Sequence, residues 1–348
     1  MRVFARIIAV VMLFAVAWLS GCATTSGDAD APDRADSKQK VEIRIRGNPS
    51  IADRDLKRAA VDGITLLNRE PKEYRADDVA FTMEECYREQ GYPFARVSYE
   101  YDEGPPVRVV FPVSEGPRTV LGEVALEGRG DVSRHLLMRF FEGPSTSWIE
   151  LGGDRLFVQS RVDQAAKLIR SWYRSEGYLK VEVDPPTVTF RDENTRADIR
   201  IMIRPGLKYL VRDLRFDGVD EKTAGVLVKK IDKEEIQPFS RAWQRNAENA
   251  CSSSLRELGH VDPKVECVET VDNDSGQVDL RFDINAGPVC TVGKITFQGL
   301  ERTEPEVLEP HLKLVSGKRF NGQALRETLV NLYEVGIFSK VRVRETPV

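Results

Sequence analysis

The residues with the most obvious capacity for chemistry are three histidines, five cysteines and one Arg-Gly-Asp tripeptide. His135, His260 and His311 lie far apart, and none has a cysteine or second histidine at metal-ligand spacing. The chain holds no phosphate-cradling glycine loop and no Gly-x-Ser-x-Gly nucleophile elbow. Acidic residues are numerous but fall on polar faces, the pattern of a solvated surface rather than of a paired-carboxylate site. Arg129-Gly130-Asp131 reads as a turn. The residue types for acid–base, nucleophilic or metal chemistry are present without the spacing such chemistry needs. The expectation is a protein that is not an enzyme and uses no cofactor.

The cysteines divide by position. Cys22 follows Leu19-Ser20-Gly21, behind Arg2, Arg6 and an unbroken apolar run from Ile7 to Leu19. That run is short of the ~20 residues that cross a bilayer and has the form of a signal-peptide core. The segment resembles the bacterial lipoprotein box, in which the cysteine becomes the lipid-bearing N-terminus. The resemblance implies residues 1–22 as signal peptide and Cys22 as the lipid attachment site. Ala23 follows in place of the aspartate that marks inner-membrane retention in some bacteria, so the implied destination is the periplasmic face of the outer membrane. Residues 23–40, rich in Ala, Thr, Ser, Asp and Lys, bury too little apolar surface to order themselves and read as a tether.

The positions of the other four cysteines follow from the elements that carry them. An apolar-faced helix running into a glycine and then an alternating strand occurs four times, at Gly91, Gly177, Gly259 and Gly336, spaced by about 80 residues. Each occurrence is preceded by a short strand that ends in glycine: Val41–Gly47, Gly122–Gly128, Val211–Gly218 and Gly293–Gly299. Alternation marks Ile43 with Ile45, Val124 with Leu126, Leu214 with Phe216, and Ile295 with Phe297 as core faces. A first helix is expected over 53–62, 132–141, 221–231 and 305–314. The second helix shows one helical stripe each in Val158, Val162, Ala165, Ile169 and Trp172, in Trp243, Ala247, Cys251, Leu255 and Leu258, and in Leu325, Leu329 and Leu332. A closing strand carries Val107, Val109, Phe111 and Val113, then Ile199, Ile201 and Ile203, then Val278, Leu280, Phe282 and Ile284. Gly116-Pro117, Pro205-Gly206 and Gly287-Pro288 punctuate the ends. The unit is βααββ, an α+β module in which two helices cover one sheet face. The modules fall at 41–117, 118–206, 207–288 and 289–348, the last lacking its third strand.

On that framework Cys86 follows Val79 and Met83 on a helix stripe and reads as a buried free thiol. Cys251 lies on the core stripe of the third module, and Cys267 shares strand parity with Val265. In an oxidising compartment Cys251 and Cys267 are a candidate disulfide, two packed thiols being the other reading. Cys290 has the wrong parity to face the core with Ile295 and Phe297.

The element order, the glycine–aromatic junction at Gly91-Tyr92 and Gly177-Tyr178, and the closing Glu115-Gly116-Pro117 together resemble the polypeptide-transport-associated (POTRA) repeat. POTRA repeats form the periplasmic region of outer-membrane β-barrel assembly proteins of the BamA/TamA type. The resemblance runs from Val41 to Val348, and the fourth unit, with Leu332-Tyr333, Gly336-Ile337-Phe338 and Val341-Arg342-Val343, looks most like the repeat next to the barrel. It implies tandem repeats forming an elongated arm, with unfolded outer-membrane protein precursors and assembly accessory proteins as partners. A lipid anchor, or a barrel if the sequence is a piece of a longer chain, would supply the membrane attachment. For the incomplete fourth unit three readings stand: a longer polypeptide, a strand supplied by another chain, or a barrel-less lipoprotein. The last gives the alternative function, a lipid-anchored envelope scaffold without client handling.

Net charge of −4 lacks the basic footprint of a nucleic-acid protein. What the modules offer instead is sheet edges, whose unpaired N–H and C=O groups accept an added strand. By resemblance the open edge is the strand after each junction glycine: residues 95–101, 179–183, 264–268 and 340–344. Leu179, Lys180, Val181, Glu182 and Val183, short and apolar before Pro185-Pro186, form the candidate docking edge.

Overall fold

A computed structural model describes residues 5–14, 41–141, 155–231, 237–300, 302–338 and 340–347. The tether, Cys22 and the end of the apolar run lie outside them.

The described chain forms two compact units. One, Asp28–Arg174 with Tyr178–Gly206, holds two βααββ modules. In the first module β2 (Glu42–Arg46) is followed by α1 (Asp53–Ala59), α2 (Val61–Arg69) and α3 (Glu73–Glu89). Next come β3 (Arg96–Val97), β4 (Glu100–Asp102) and β5 (Arg108–Ser114). The sheet order is β2-β5-β3, with β4 also paired to β5. Ile43 lies opposite Val109 and Ile45 opposite Phe111 in a parallel ladder. Leu56, Met83, Tyr87, Val109 and Phe111 are fully buried together. Burial of each such side chain stabilises by roughly 1.5–3 kcal/mol. The second module runs β6 (Val120–Glu127), α4 (Arg134–Met138), α5 (Gln159–Ser175), β7 (Glu182–Val183), β8 (Thr187–Arg191) and β9 (Arg196–Arg204). Its order is β6-β9-β7, with β8 also on β9. It has its own core of Val124, Phe157, Ile169, Tyr173 and Ile201.

The other unit holds Leu207–Val348 with Ser175–Gly177. Its first module is β10 (Leu210–Asp217), α6 (Glu221–Ile231), α7 (Arg241–Glu257), β11 (Lys264–Asp272) and β12 (Gln277–Asn285), in order β10-β12-β11. Phe216 stacks on Phe282 with ring centroids 5.1 Å apart. The last module is β13 (Cys290–Gln298), α8 (Pro305–Leu308), α9 (Gly322–Glu334) and β14 (Lys340–Pro347). Its middle place is taken by β1 (Ala5–Phe14), parallel to β13 and antiparallel to β14. Within 289–348 the described residues supply β13 and β14, and a segment from the start of the same chain stands between them. Among the described residues no helix is long and apolar enough to cross a membrane.

Glycine at the end of the first strand is a steric requirement. Gly218 has φ +88°, and a Cβ there would sit 2.0 Å from the Ile284 carbonyl oxygen. Gly128 faces the Ile203 carbonyl in the same way, at 2.3 Å. Only a residue without a side chain lets the chain leave so close to the central strand.

Several expectations change in detail. The first helix of module one is two helices, α1 and α2, rather than one, and those of modules two and four are shorter than expected and end in a 3-10 turn at 139–141 and 309–311. On α7 Ala247, Cys251 and Leu255 are buried as expected, but Trp243 is half-exposed and Gln244 beside it is buried, its amide donating to the Cys267 carbonyl. Cys290 is buried in the fourth core, against its expected parity. The cause is a register irregularity in β13 between Val292 and Ile295, which puts Cys290, Val292 and Ile295 on one side.

Candidate edge-strand binding surface

The strand after each junction glycine is an edge in every module. Helix and strand are joined by a left-handed glycine; at Gly259 φ is +96°. The strand then runs antiparallel to the module's central strand, and among the described residues no strand pairs with its other side.

The four edges differ in length. The expected edge at 179–183 is mostly not strand. Leu179 and Lys180 lie in a turn, Val181 is buried at 4% exposure, and only Glu182 and Val183 pair with β9, opposite Arg204 and Ile203. Pro185-Pro186 then interrupts the edge before β8 resumes it, because proline has no N–H to give a ladder. In the first module β3 and β4 are likewise separate short pieces. β11 is different: all nine residues pair without a break, from Lys264 opposite Asn285 to Asp272 opposite Gln277.

In an antiparallel ladder alternate residues turn both backbone groups away from the partner strand. At those outward positions the preceding helix supplies a hydrogen bond in every module. Glu84 on α3 accepts the Val97 N–H at 3.1 Å, and its other oxygen meets Arg88 and Arg96. Arg170 on α5 donates to the Val183 carbonyl at 2.5 Å. On α7, Glu248 accepts the Cys267 N–H at 3.0 Å while the Gln244 amide donates to the Cys267 carbonyl at 3.0 Å. The Tyr333 hydroxyl on α9 lies 3.2 Å from both the Val341 nitrogen and oxygen.

Around β11 the cover extends further. Arg241, at the start of α7, pairs with Glu269 at 2.5 Å and holds its carboxyl below the usual range. Arg241, Gln244 and Glu248 form one stripe of the helix, three and four residues apart, laid along the strand. Behind it Cys251 is buried and Cys267 half-buried; both are free thiols. Burial pushes each thiol pKa up to about 12, with Glu248 adding to the effect. Cys86 is half-buried and also free. Sequence reasoning missed Glu84, Arg170, Gln244, Glu248 and Tyr333, since each is a polar helix residue whose partner is a distant backbone group. Among the described residues no cluster of His, Cys, Asp or Glu could hold a metal ion.

Small sheets covered by helices recur along the described chain as one modular architecture. Residues 121–206 and 290–348 match the POTRA family model, described as surface antigen variable number repeat. Two stretches of the chain thus resemble POTRA repeats, and the curated relatives that it is similar to are of the BamA type. The outer membrane protein assembly factor BamA of Buchnera aphidicola subsp. Acyrthosiphon pisum is 22% identical over 265 residues, covering 75% of this chain and 43% of that protein. BamA of Nitratidesulfovibrio vulgaris is 19% identical over 273 residues, covering 76% of this chain and 34% of that protein. The chain therefore spans less than half the length of these curated relatives. Among solved structures, the crystal structure of Haemophilus influenzae BamA POTRA3-5 is 23% identical, covering 65% of this chain and 89% of that one, with a TM-score of 0.43.

Proposed function

We propose that this chain is the periplasmic arm of an outer-membrane protein assembly or translocation factor. It binds unfolded β-barrel precursors and accessory proteins by adding their extended segments to its sheet edges. The observation that carries the reading is the antiparallel edge strand after the junction glycine, present in all four modules. Main-chain hydrogen bonds to such an edge give affinity with little sequence preference, which suits a factor with many unfolded clients. The arm does this by pairing alone, with no covalent step. Residues 1–22 act as the export signal, and lipid on Cys22 holds the arm at the periplasmic face of the outer membrane; removal of that segment on lipidation would take β1 out of the last sheet and leave its place between β13 and β14 to another strand. Cys22 lies outside the described residues, and a Cys22→Ser variant that still takes up labelled palmitate would remove the anchor from the proposal.

Proline tests the edges with little damage to the sheet. Val271 on β11 shares parity with Cys267, and Val183 on β7 has its carbonyl turned to Arg170, so both N–H groups point away from the central strand. Val271→Pro and Val183→Pro therefore remove a donor that only an added strand uses. A urea-unfolded outer-membrane porin, diluted onto the full chain and cross-linked from position 182 or 268, should be captured less by the matching proline variant. Equal capture by both variants and the parent, with folding confirmed by circular dichroism, would overturn the docking reading.

A further inference from the structure

We propose that the outward backbone groups of each post-junction edge strand are closed by a side-chain latch from the preceding helix, and that this latch gates strand addition. In each of the four modules the preceding helix sets a polar side chain on the outward backbone of the edge strand: a carboxylate (Glu84), a guanidinium (Arg170), an amide with a second carboxylate (Gln244 and Glu248) and a phenol (Tyr333). The residue type varies while the target does not, being the backbone of Val97, Val183, Cys267 or Val341. That combination indicates a requirement of the edge itself. An exposed strand edge is a template for unwanted pairing, and natural sheets blunt it. Here the blunting is reversible, because long side chains on a helix can swing away and leave the groups an incoming strand needs.

The latch is most complete in the third module. Both groups of Cys267 are held, and Arg241 fixes Glu269 two residues further along the same edge. That is also the longest uninterrupted edge, so it has most to lose by standing open. An incoming strand must break two hydrogen bonds to side chains before it makes its own pair at Cys267. This sets a threshold: segments able to pair along most of β11 displace the latch, and short ones do not. The gate rests on the docking reading above; the closed state of the edge does not.

The experiment uses the full chain with Gln244→Ala/Glu248→Ala and, separately, Glu248→Gln, which keeps an acceptor. Hydrogen exchange of the Cys267 amide, without any client, reads the latch directly. Exchange should speed by about tenfold in the double variant and stay near the parent rate in Glu248→Gln. A ten-residue peptide of alternating valine and threonine, cross-linked from position 268, reads the gate, and its capture should rise about tenfold in the double variant. An unchanged Cys267 exchange rate overturns the latch whatever the peptide does. Faster exchange with unchanged capture overturns the gate and leaves a purely structural contact. No capture by parent or variant, with exchange accelerated, overturns the docking reading and the gate with it, and leaves the closed edge standing. If the double variant fails to fold, equal exchange at Cys267 in Glu248→Gln and Glu248→Ala overturns the proposal.

Discussion

The second and third modules are built on the same plan and end in different edges. α5 and α7 are each 17 residues long, and β9 and β12 are each nine. Yet β9 is bordered by a two-residue β7 and a separate β8, while β12 is bordered by the unbroken nine residues of β11. Proline makes the first difference, since Pro185-Pro186 ends β7. The helix makes the second, with one side-chain bond to Val183 against a three-residue stripe along β11. A short apolar stretch before a Pro-Pro pair is therefore the less covered edge, and also the shorter one. Continuity of pairing decides how much strand is on offer, and helix side chains decide when.

The largest effect that sharpens this contrast comes from the central strands. Phe282 is fully buried on β12 and stacked on Phe216. Phe282→Ala should cost about 3–5 kcal/mol through lost burial and a residual cavity. Ile201, fully buried on β9, should cost about 2–5 kcal/mol on truncation to alanine. Denaturant titration of variants retaining only Trp243 or only Trp172 reports the third and second modules separately. Hydrogen exchange should then open all of β11 in Phe282→Ala but only the short pieces β7 and β8 in Ile201→Ala. Exchange confined to the site of mutation in both would remove the contrast in continuity.

A smaller effect follows from the helix that carries the latch. Ser240 caps α7, its hydroxyl accepting the Trp243 N–H at 3.2 Å. Ser240→Ala should cost about 1 kcal/mol and loosen the turn that holds Arg241 and Gln244. Amide exchange at Cys267 should rise in step, while that at Val183 stays at the parent value. A change at both positions would mean that the two edges are not independently held.

The framework of both modules was legible because it rests on periodicity. Junction glycines, alternating strands and apolar helix stripes are local patterns, and the resemblance to POTRA repeats rests on their order. Register was legible only until a bulge intervened, which is why Cys290 turned inward when strand parity put it outside. The latch was not legible at all. Gln244 pairs with a carbonyl 23 residues away and Glu248 with an N–H 19 residues away. Nothing in their own neighbourhood separates them from solvated polar residues. The two-residue β7 was hidden for another reason: Leu179–Val183 has the alternation of a strand, but the turn through Tyr178, whose carbonyl accepts the Val181 N–H, consumes its first half.

The smallest effect separates the two modules by pH. In the third module Cys251 is buried and Cys267 half-buried, where Ile169 and Val183 are both buried in the second. Burial raises both thiol pKa values to about 12 from an unperturbed 9.0, with Glu248 and Glu269 adding to the rise at Cys267 and Gln244 and Arg241 opposing it. A group whose pKa is higher in the folded state holds its proton longer there. Its contribution is complete below pH 9 and is lost as pH climbs from 9 towards 12. The third module should therefore weaken across that window relative to the second, read by the single-tryptophan variants, and Cys251→Ala should flatten the difference. At pH 8 both thiols should be protonated and resist iodoacetamide until the chain is unfolded. Non-reducing mass mapping that returns a linked Cys251–Cys267 peptide would instead establish the bridge, and a bridged pair has no proton to lose, so the pH contrast between the modules would vanish with it.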